Sequence, residues 1–386
     1  MPPPRFSPAE HALVWAIRSA FPLNGAAAVS APEADVDWLE VARQARKHAL
    51  EPLLHAAVAK LAIRQAIPAE VLETLRTAYQ RTSRANLASY AELGRLLGEF
   101  QREQIPAILL KGGALAAALY PAIGLRPMRD LDILVSLADV ERASAVLLAR
   151  GYAAVAERAQ RRGESVDCER AFMPARGESL PVELHWHIIN VFHFRRRTPV
   201  SWFWRQSVDT PFCGLRALVL TPEAQLIHLA THLKLNHHGD RWLREYDIAL
   251  LLARLGGRIR WEEVTTAARG FQLSLVLAAA LDRVERVWGV AAPASARDEL
   301  WRLPGIGQRL ACAMTSPRLR GFQPLWNALA APGWAHKLAF LREYAFPSLG
   351  YMRRRYGLSR PHLAPLYYLR HLGQGFAKIV RPDSRG

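Results

Sequence analysis

The sequence predicts an α+β protein: a small mixed β-sheet core with helices, flanked by helical N-terminal and C-terminal regions. Three observations carry this. Apolar residues recur at helical spacing from about Asp37 to Glu103 and again beyond Thr221, and between them short apolar or β-branched runs alternate with helical ones. With 386 residues, 51% of them hydrophobic, the chain is long enough to bury a large core without covalent staples. Its three cysteines, Cys168, Cys213 and Cys312, form no C-x-x-C pair. That argues against a disulfide framework or a cysteine zinc site and fits a reducing, cytoplasmic setting.

The elements follow in order. Trp38, Val41 and Ala45, then Leu72, Leu75 and Tyr79, keep a helical period with Pro52 and Pro68 as punctuation. The period breaks at Ile105-Pro106, where AILL (107–110) reads as a buried strand stopped by Lys111-Gly112-Gly113. ALAAALY (114–120) is built of strong helix formers and ends at Pro121. DLDILV (130–135) is the next strand, LADVERASAVLLAR (137–150) a helix stopped by Gly151, and PVELHWHII (181–189) a further strand, with another near 171–173. Thr221-Pro222-Glu223 opens a helix with a capping residue and a first-turn proline, and Gly256-Gly257 ends the helix WLREYDIALLLARL. The expected division is a helical region over 1–104, a core over 105–220, a helical domain over 221–340 and a basic tail over 341–386.

The N-terminus carries three early prolines and interleaved charges in place of the apolar stretch of a secretion signal. Apolar runs such as LSLVLAAAL (273–281) are cut by charge well short of the ~20 residues a spanning helix needs. Against 34 acidic residues stand 51 Lys and Arg, a formal charge of +17, which suits an anionic partner: nucleotide, nucleic acid or membrane surface.

Asp130 and Asp132 are two apart on a strand, so their carboxylates leave one face while Leu131 and Ile133 enter the core. Adjacent carboxylates repel unless a cation screens them, and hard oxygen ligands suit Mg²⁺. Removing Asp132 should therefore leave stability intact or raise it. Alone, the pair reads equally as a solvated strand end. Glycines 112 and 113 ahead of a helix N-terminus suit close approach of a phosphate, or simply a tight turn. Glu183 supplies a third acid, with His185 and His187 on its face; such a trio is what two-metal phosphoryl or nucleotidyl transfer needs.

An apolar strand ending in Gly112-Gly113, Asp130-x-Asp132 on the next strand and the separate Glu183 resemble the nucleotidyltransferase superfamily of DNA polymerase β type. More closely, ILLKGGALAAALYPAIGLRPMRDLDILV, with VELHWHI, TPEAQLIHLATHLKLNHH and YDIALLL, looks like the uncharacterised bacterial nucleotidyltransferase-like family over residues 40–290. The resemblance implies Asp130, Asp132 and Glu183 as catalytic ligands of two Mg²⁺ ions and Gly112 and Gly113 against the phosphates of an NTP substrate. The sequence departs from the superfamily in two places: sixteen residues separate Gly113 from Asp130, and Gly113 stands where many members carry a phosphate-binding serine. Lys111, Arg126 and Arg129 are further nucleotide-binding candidates.

His228 and His232, four apart on one helix face, with His237-His238 beyond, raise the question of zinc, but HLATH lacks the glutamate of the metalloprotease motif. His185, His232, Lys234 and Asp247 are candidates for a cleft that takes the acceptor, which is unspecified: small molecule, protein, peptide or RNA end. FHFRRRTPVSWFWR (192–205) reads as a base-stacking platform or as a partly buried loop. The tail carries nine Lys and Arg against two acids, a net +7, and its aromatics and arginines fit membrane contact, although Pro361 and Pro365 should interrupt a long amphipathic helix. The main alternative is a non-catalytic nucleotide-binding or RNA-binding module.

Overall fold

The computed structural model describes residues 6–32, 35–155, 168–175, 179–236, 241–302, 305–314, 333–346, 349–357 and 363–380. Ser7 and Glu10 form a reciprocal capping box that opens α1 (Pro8–Ala20), and Asp37 caps α2 (Trp38–His48). Then come α3 (Glu51–Lys60) and the 34-residue α4 (Ala69–Arg102), whose buried stripe of Val71, Leu75, Ala78, Leu93, Leu97 and Phe100 also contains Asn86 and Tyr90. Polar residues on an apolar stripe need partners, and these two find them at the site described below.

Seven strands form one mixed sheet in the order β3-β4-β5-β2-β1-β7-β6. The strands are β1 (Ile108–Leu109), β2 (Leu131–Leu134), β3 (Tyr152–Ala154), β4 (Glu169–Pro174), β5 (Val182–His185), β6 (Ser207–Phe212) and β7 (Leu215–Leu220). At the centre β2 runs parallel to β5 and antiparallel to β1, which runs parallel to β7. Leu109, Leu131, Ile133 and Leu184 bury against α4 and α6 (Val140–Ala149). Ile108, Leu110 and Leu134 belong to a larger core that joins α1–α3 to the C-terminal helices α9 (Pro222–Thr231), α10 (Trp242–Leu255), α11 (Trp261–Gly270) and α12 (Ser274–Trp288). That core runs across positions 104 and 220. The short helices α7 (Phe192–Arg195) and α8 (Val200–Arg205) hold the aromatic-basic stretch, with Phe194 and Phe203 fully buried.

Several elements depart from the sequence reading. The helix after β1, α5 (Lys111–Leu119), starts at Lys111, so the two glycines lie in its first turn and not in a linking turn. Strand β5 ends at His185, and His187 leaves the face of Glu183 to bond the Thr198 carbonyl through Nε2 at 2.9 Å. The β6–β7 hairpin turns on Cys213-Gly214, both at positive φ (48° and 77°), a two-residue turn whose cysteine disguises it from the usual Asn-Gly signal. Pro365 lies inside the first turn of the 17-residue helix Ala364–Val380, where a proline costs no hydrogen bond, so it starts that helix instead of breaking it. Pro361 and His237-His238 lie outside the described residues.

Candidate active site

Parallel pairing of β2 with β5 sets Asp132 opposite Glu183 and Leu134 opposite His185, and antiparallel β4 sets Glu169 opposite His185. Alternation then puts Asp132, Glu183, His185 and Glu169 on one face. His185 Nε2 lies 2.8 Å from Asp132 Oδ1 and 3.6 Å from Glu183, while its Nδ1 lies 3.4 Å from Glu169. Asp132, Glu183 and His185 each offer a ligand atom within 4.8 Å of the others. Asp132 Oδ2 is buried with no hydrogen-bond partner. An orphaned carboxylate oxygen beside a second carboxylate is a donor set that fits a hard cation.

Lys111 enters this floor from the start of α5. Its φ of 43° is left-handed, a conformation that costs a long side chain about 1 kcal/mol. The ammonium meets Asp132 Oδ1 at 2.6 Å, and that buried contact holds the unfavourable turn in place. Burial opposes the Asp132 charge, but Lys111 and the His185 contact outweigh it and hold the carboxyl far below its ordinary range. Burial also opposes the Lys111 charge, and Asp132 overrides it, raising the ammonium's pKa. Neither stabilises the other acids enough: burial and then Asp132 push Glu183 up to about 7 and raise Asp130.

A cleft of about 710 Å³ opens above, lined by Lys111, Gly112, Arg126, Arg129, Asp130, Glu169 and Glu183 from the sheet side. From the helical side it is lined by His232, Arg241, Arg244 and Asp247. One buried network joins the two walls. Arg126 gives Asp247 a bidentate pair, Nε to Oδ1 at 2.8 Å and Nη2 to Oδ2 at 2.7 Å, and the Tyr120 hydroxyl donates to the same Oδ1 at 2.8 Å. The third nitrogen, Nη1, lies where a Cβ on residue 112 would come within 2.5 Å, so glycine there leaves room for the guanidinium. From α4, Asn86 Nδ2 donates to the carbonyls of Ile123 and Arg126, and the Tyr90 hydroxyl donates to that of Gly113 at 2.9 Å.

The family model for uncharacterised nucleotidyltransferases matches residues 34–289, from ahead of α2 to the end of α12. The chain belongs to that family. A search of curated proteins finds no match. Within this nucleotidyltransferase family member, the matched span includes the acids, the glycines and both walls of the cleft. Nucleotidyl transfer is the activity the family's description gives.

The fold brings most of the sequence candidates together. Lys111, Gly112, Arg126, Arg129, Asp130, Glu183, His232 and Asp247 line one cleft, and Asp132 and His185 lie buried beneath it. Gly113 is buried behind the lining, and Lys234 sits apart from it, in an electrostatic environment set by Arg283, Glu245 and Arg286. His228 is 1% exposed with neither ring nitrogen hydrogen-bonded. Among the described residues the group of three or more near enough to share an ion is the Asp132 trio, and neither His228 nor His232 belongs to it. Glu169, Tyr120, Asn86, Arg241 and Arg244 were absent from the sequence candidates. Asn86 had a signal, a polar residue at an apolar-stripe position; Glu169 had none without its strand pairing.

Proposed function

We propose that this nucleotidyltransferase family member moves an NMP from an NTP to an acceptor nucleophile with release of pyrophosphate, using Mg²⁺ held by Asp130, Asp132 and Glu183. The observation that carries the reading is the buried, unpartnered Asp132 Oδ2, on a residue in register with Glu183, beneath a cation-rich cleft. Bound there, two Mg²⁺ ions would offset charge on the attacking and leaving oxygens. Lys111 and His185 fix the Asp132 carboxylate from its other oxygen, so its free lone pairs point one way. Arg126, pinned by Asp247, and Arg129, Arg241 and Arg244 supply charge for the triphosphate. His232, which lines the helical wall, would meet the acceptor.

The test is product analysis by mass spectrometry after incubation with each NTP, Mg²⁺ and cell extract, comparing the wild type with Asp130→Asn and Asp132→Asn. Product from the wild type and none from either variant is expected; product undiminished in both refutes the assignment. One observation favours a second reading: the Lys111 ammonium already gives Asp132 a cation. A non-catalytic nucleotide binder would hold NTP and yield no product with any acceptor. RNA binding that falls steeply with salt and ignores Asp130 and Asp132 would instead mark an RNA-binding module.

A further inference from the structure

The C-terminal helices carry a surface that the nucleotide site does not use. Beyond α13 (Ala294–Trp301) and α14 (Ile306–Met314), helices α15 (Gly333–Ala345), α16 (Leu349–Tyr356) and α17 (Ala364–Val380) form a small unit with its own core of Met352 and Ala364, packed by Tyr356, Tyr367 and Tyr368. The Tyr356 hydroxyl lies 2.9 Å from His371 Nδ1 and donates to Gln374 at 3.1 Å, which fixes one face of α17 against α16. The opposite face of α17 presents Leu366 and Leu369, 62% and 65% exposed at i, i+3 spacing. On α15, Trp334 is 79% and Leu338 64% exposed, with the Lys337 ammonium 5.1 Å from the Trp334 ring. Arg342 and Arg353 are exposed, as is Arg370, whose guanidinium lies 5.6 Å from the Tyr356 ring.

We propose that this face docks on the surface of an anionic lipid bilayer, leucines and Trp334 entering the headgroup boundary while the arginines and Lys337 contact lipid phosphates. Aliphatic side chains gain from hydrocarbon and give a base nothing to stack on; among the described residues of this unit the exposed Leu338, Leu349, Leu366 and Leu369 outnumber the exposed rings, Trp334 and Phe346, while Tyr356, Tyr367 and Tyr368 are half-buried in its core. Residues 341–386 carry a net +7, which complements an anionic leaflet and repels a second copy of the same face. No helix among the described residues is long and apolar enough to cross a membrane, so the contact lies at the interface.

The test is flotation of the full chain with phosphatidylcholine vesicles with and without phosphatidylserine, at low and high salt. Binding only to the anionic vesicles, weakened by salt, is expected. The charge-neutral pair Leu366→Ser with Leu369→Ser should lower the bound fraction roughly tenfold, and Arg353→Gln with Arg370→Gln should reduce it at low salt. Unchanged melting and NTP binding would show both variants folded. Absence of flotation, equal flotation with neutral lipid, or flotation indifferent to the serine pair overturns the proposal. Serine substitutions that instead abolish self-association or RNA binding, with flotation unaltered, also overturn it.

Discussion

Asp130 and Asp132 are both acids at the floor of the cleft, yet the structure gives their removal opposite signs. The sequence suggests that losing Asp132 relieves repulsion and leaves the melting temperature intact or raised. In the fold Asp132 is 2% exposed and accepts from Lys111, whose side chain is 14% exposed. Replacing it with Asn strands that ammonium in a site it entered only because of the carboxylate. Loss of one partner of a buried pair costs about 3 kcal/mol, and at roughly 1–1.5 °C per kcal/mol for a chain of 386 residues the melting temperature should fall by about 3–5 °C. Asp130 has burial and Asp132 against its charge, so Asp130→Asn should hold or raise the melting temperature.

The assay is thermal and urea unfolding in chelator-treated buffer, so that no ion stabilises the native state. Lys111→Met should cost about as much as Asp132→Asn, since it leaves the buried carboxylate with His185 alone. The double variant should return to within about 1 kcal/mol of the wild type, a coupling of several kcal/mol in a double-mutant cycle. Additive losses, or an Asp132→Asn protein as stable as the wild type, would show that the Lys111–Asp132 contact does not hold this floor together.

The other predictions concern the same cleft. Because Glu183 is raised to about 7 from an ordinary 4.5, the folded metal-free protein keeps its proton over that interval and loses stability as pH rises through it. Mg²⁺ affinity by calorimetry should therefore climb about tenfold per pH unit below 7 and level above it, with a proton released; a flat profile refutes this. His228, driven down to about 3 by burial and then Lys111, is a neutral ring with both nitrogens unpartnered, so His228→Leu should stabilise against urea by about 1 kcal/mol, and a loss of that size would refute it. Gly112→Ala pushes a methyl into Arg126 Nη1 and Met128, and should cost about 1–3 kcal/mol and weaken NTP binding in equilibrium titration; a protein unchanged in both would show that Arg126 moves freely.

What the sequence disclosed and what it hid divide along contact range. Asp130-x-Asp132 carries its own geometry, since strand alternation puts two residues two apart on one face, and Glu183 follows the same rule against His185. Glu169 joins them only through β4–β5 pairing, and the Arg126–Asp247 pair spans 121 residues, so no local period announces either. Gly112 looked like room for phosphate; the space its missing side chain leaves holds Arg126 and Met128. The Cys213-Gly214 hairpin was hidden by one uncommon turn residue.

Charge shows why the helical half belongs to the site. Of the cations lining the cleft, Lys111 is engaged with Asp132 and Arg126 with Asp247. Both serve first to neutralise buried acids, and Arg126 keeps only Nη1 outside its bidentate pair. A triphosphate brings more negative charge than that one edge and Arg129 can meet. Arg241 and Arg244 line the cleft from the start of α10, the helix that also supplies Asp247. On the proposed reaction, then, α10 does two things at once: Asp247 orients the arginine above Gly112, and the first turn brings charge to the far side of the cleft. The sheet alone would present acids to a nucleotide with too little to offset its phosphates.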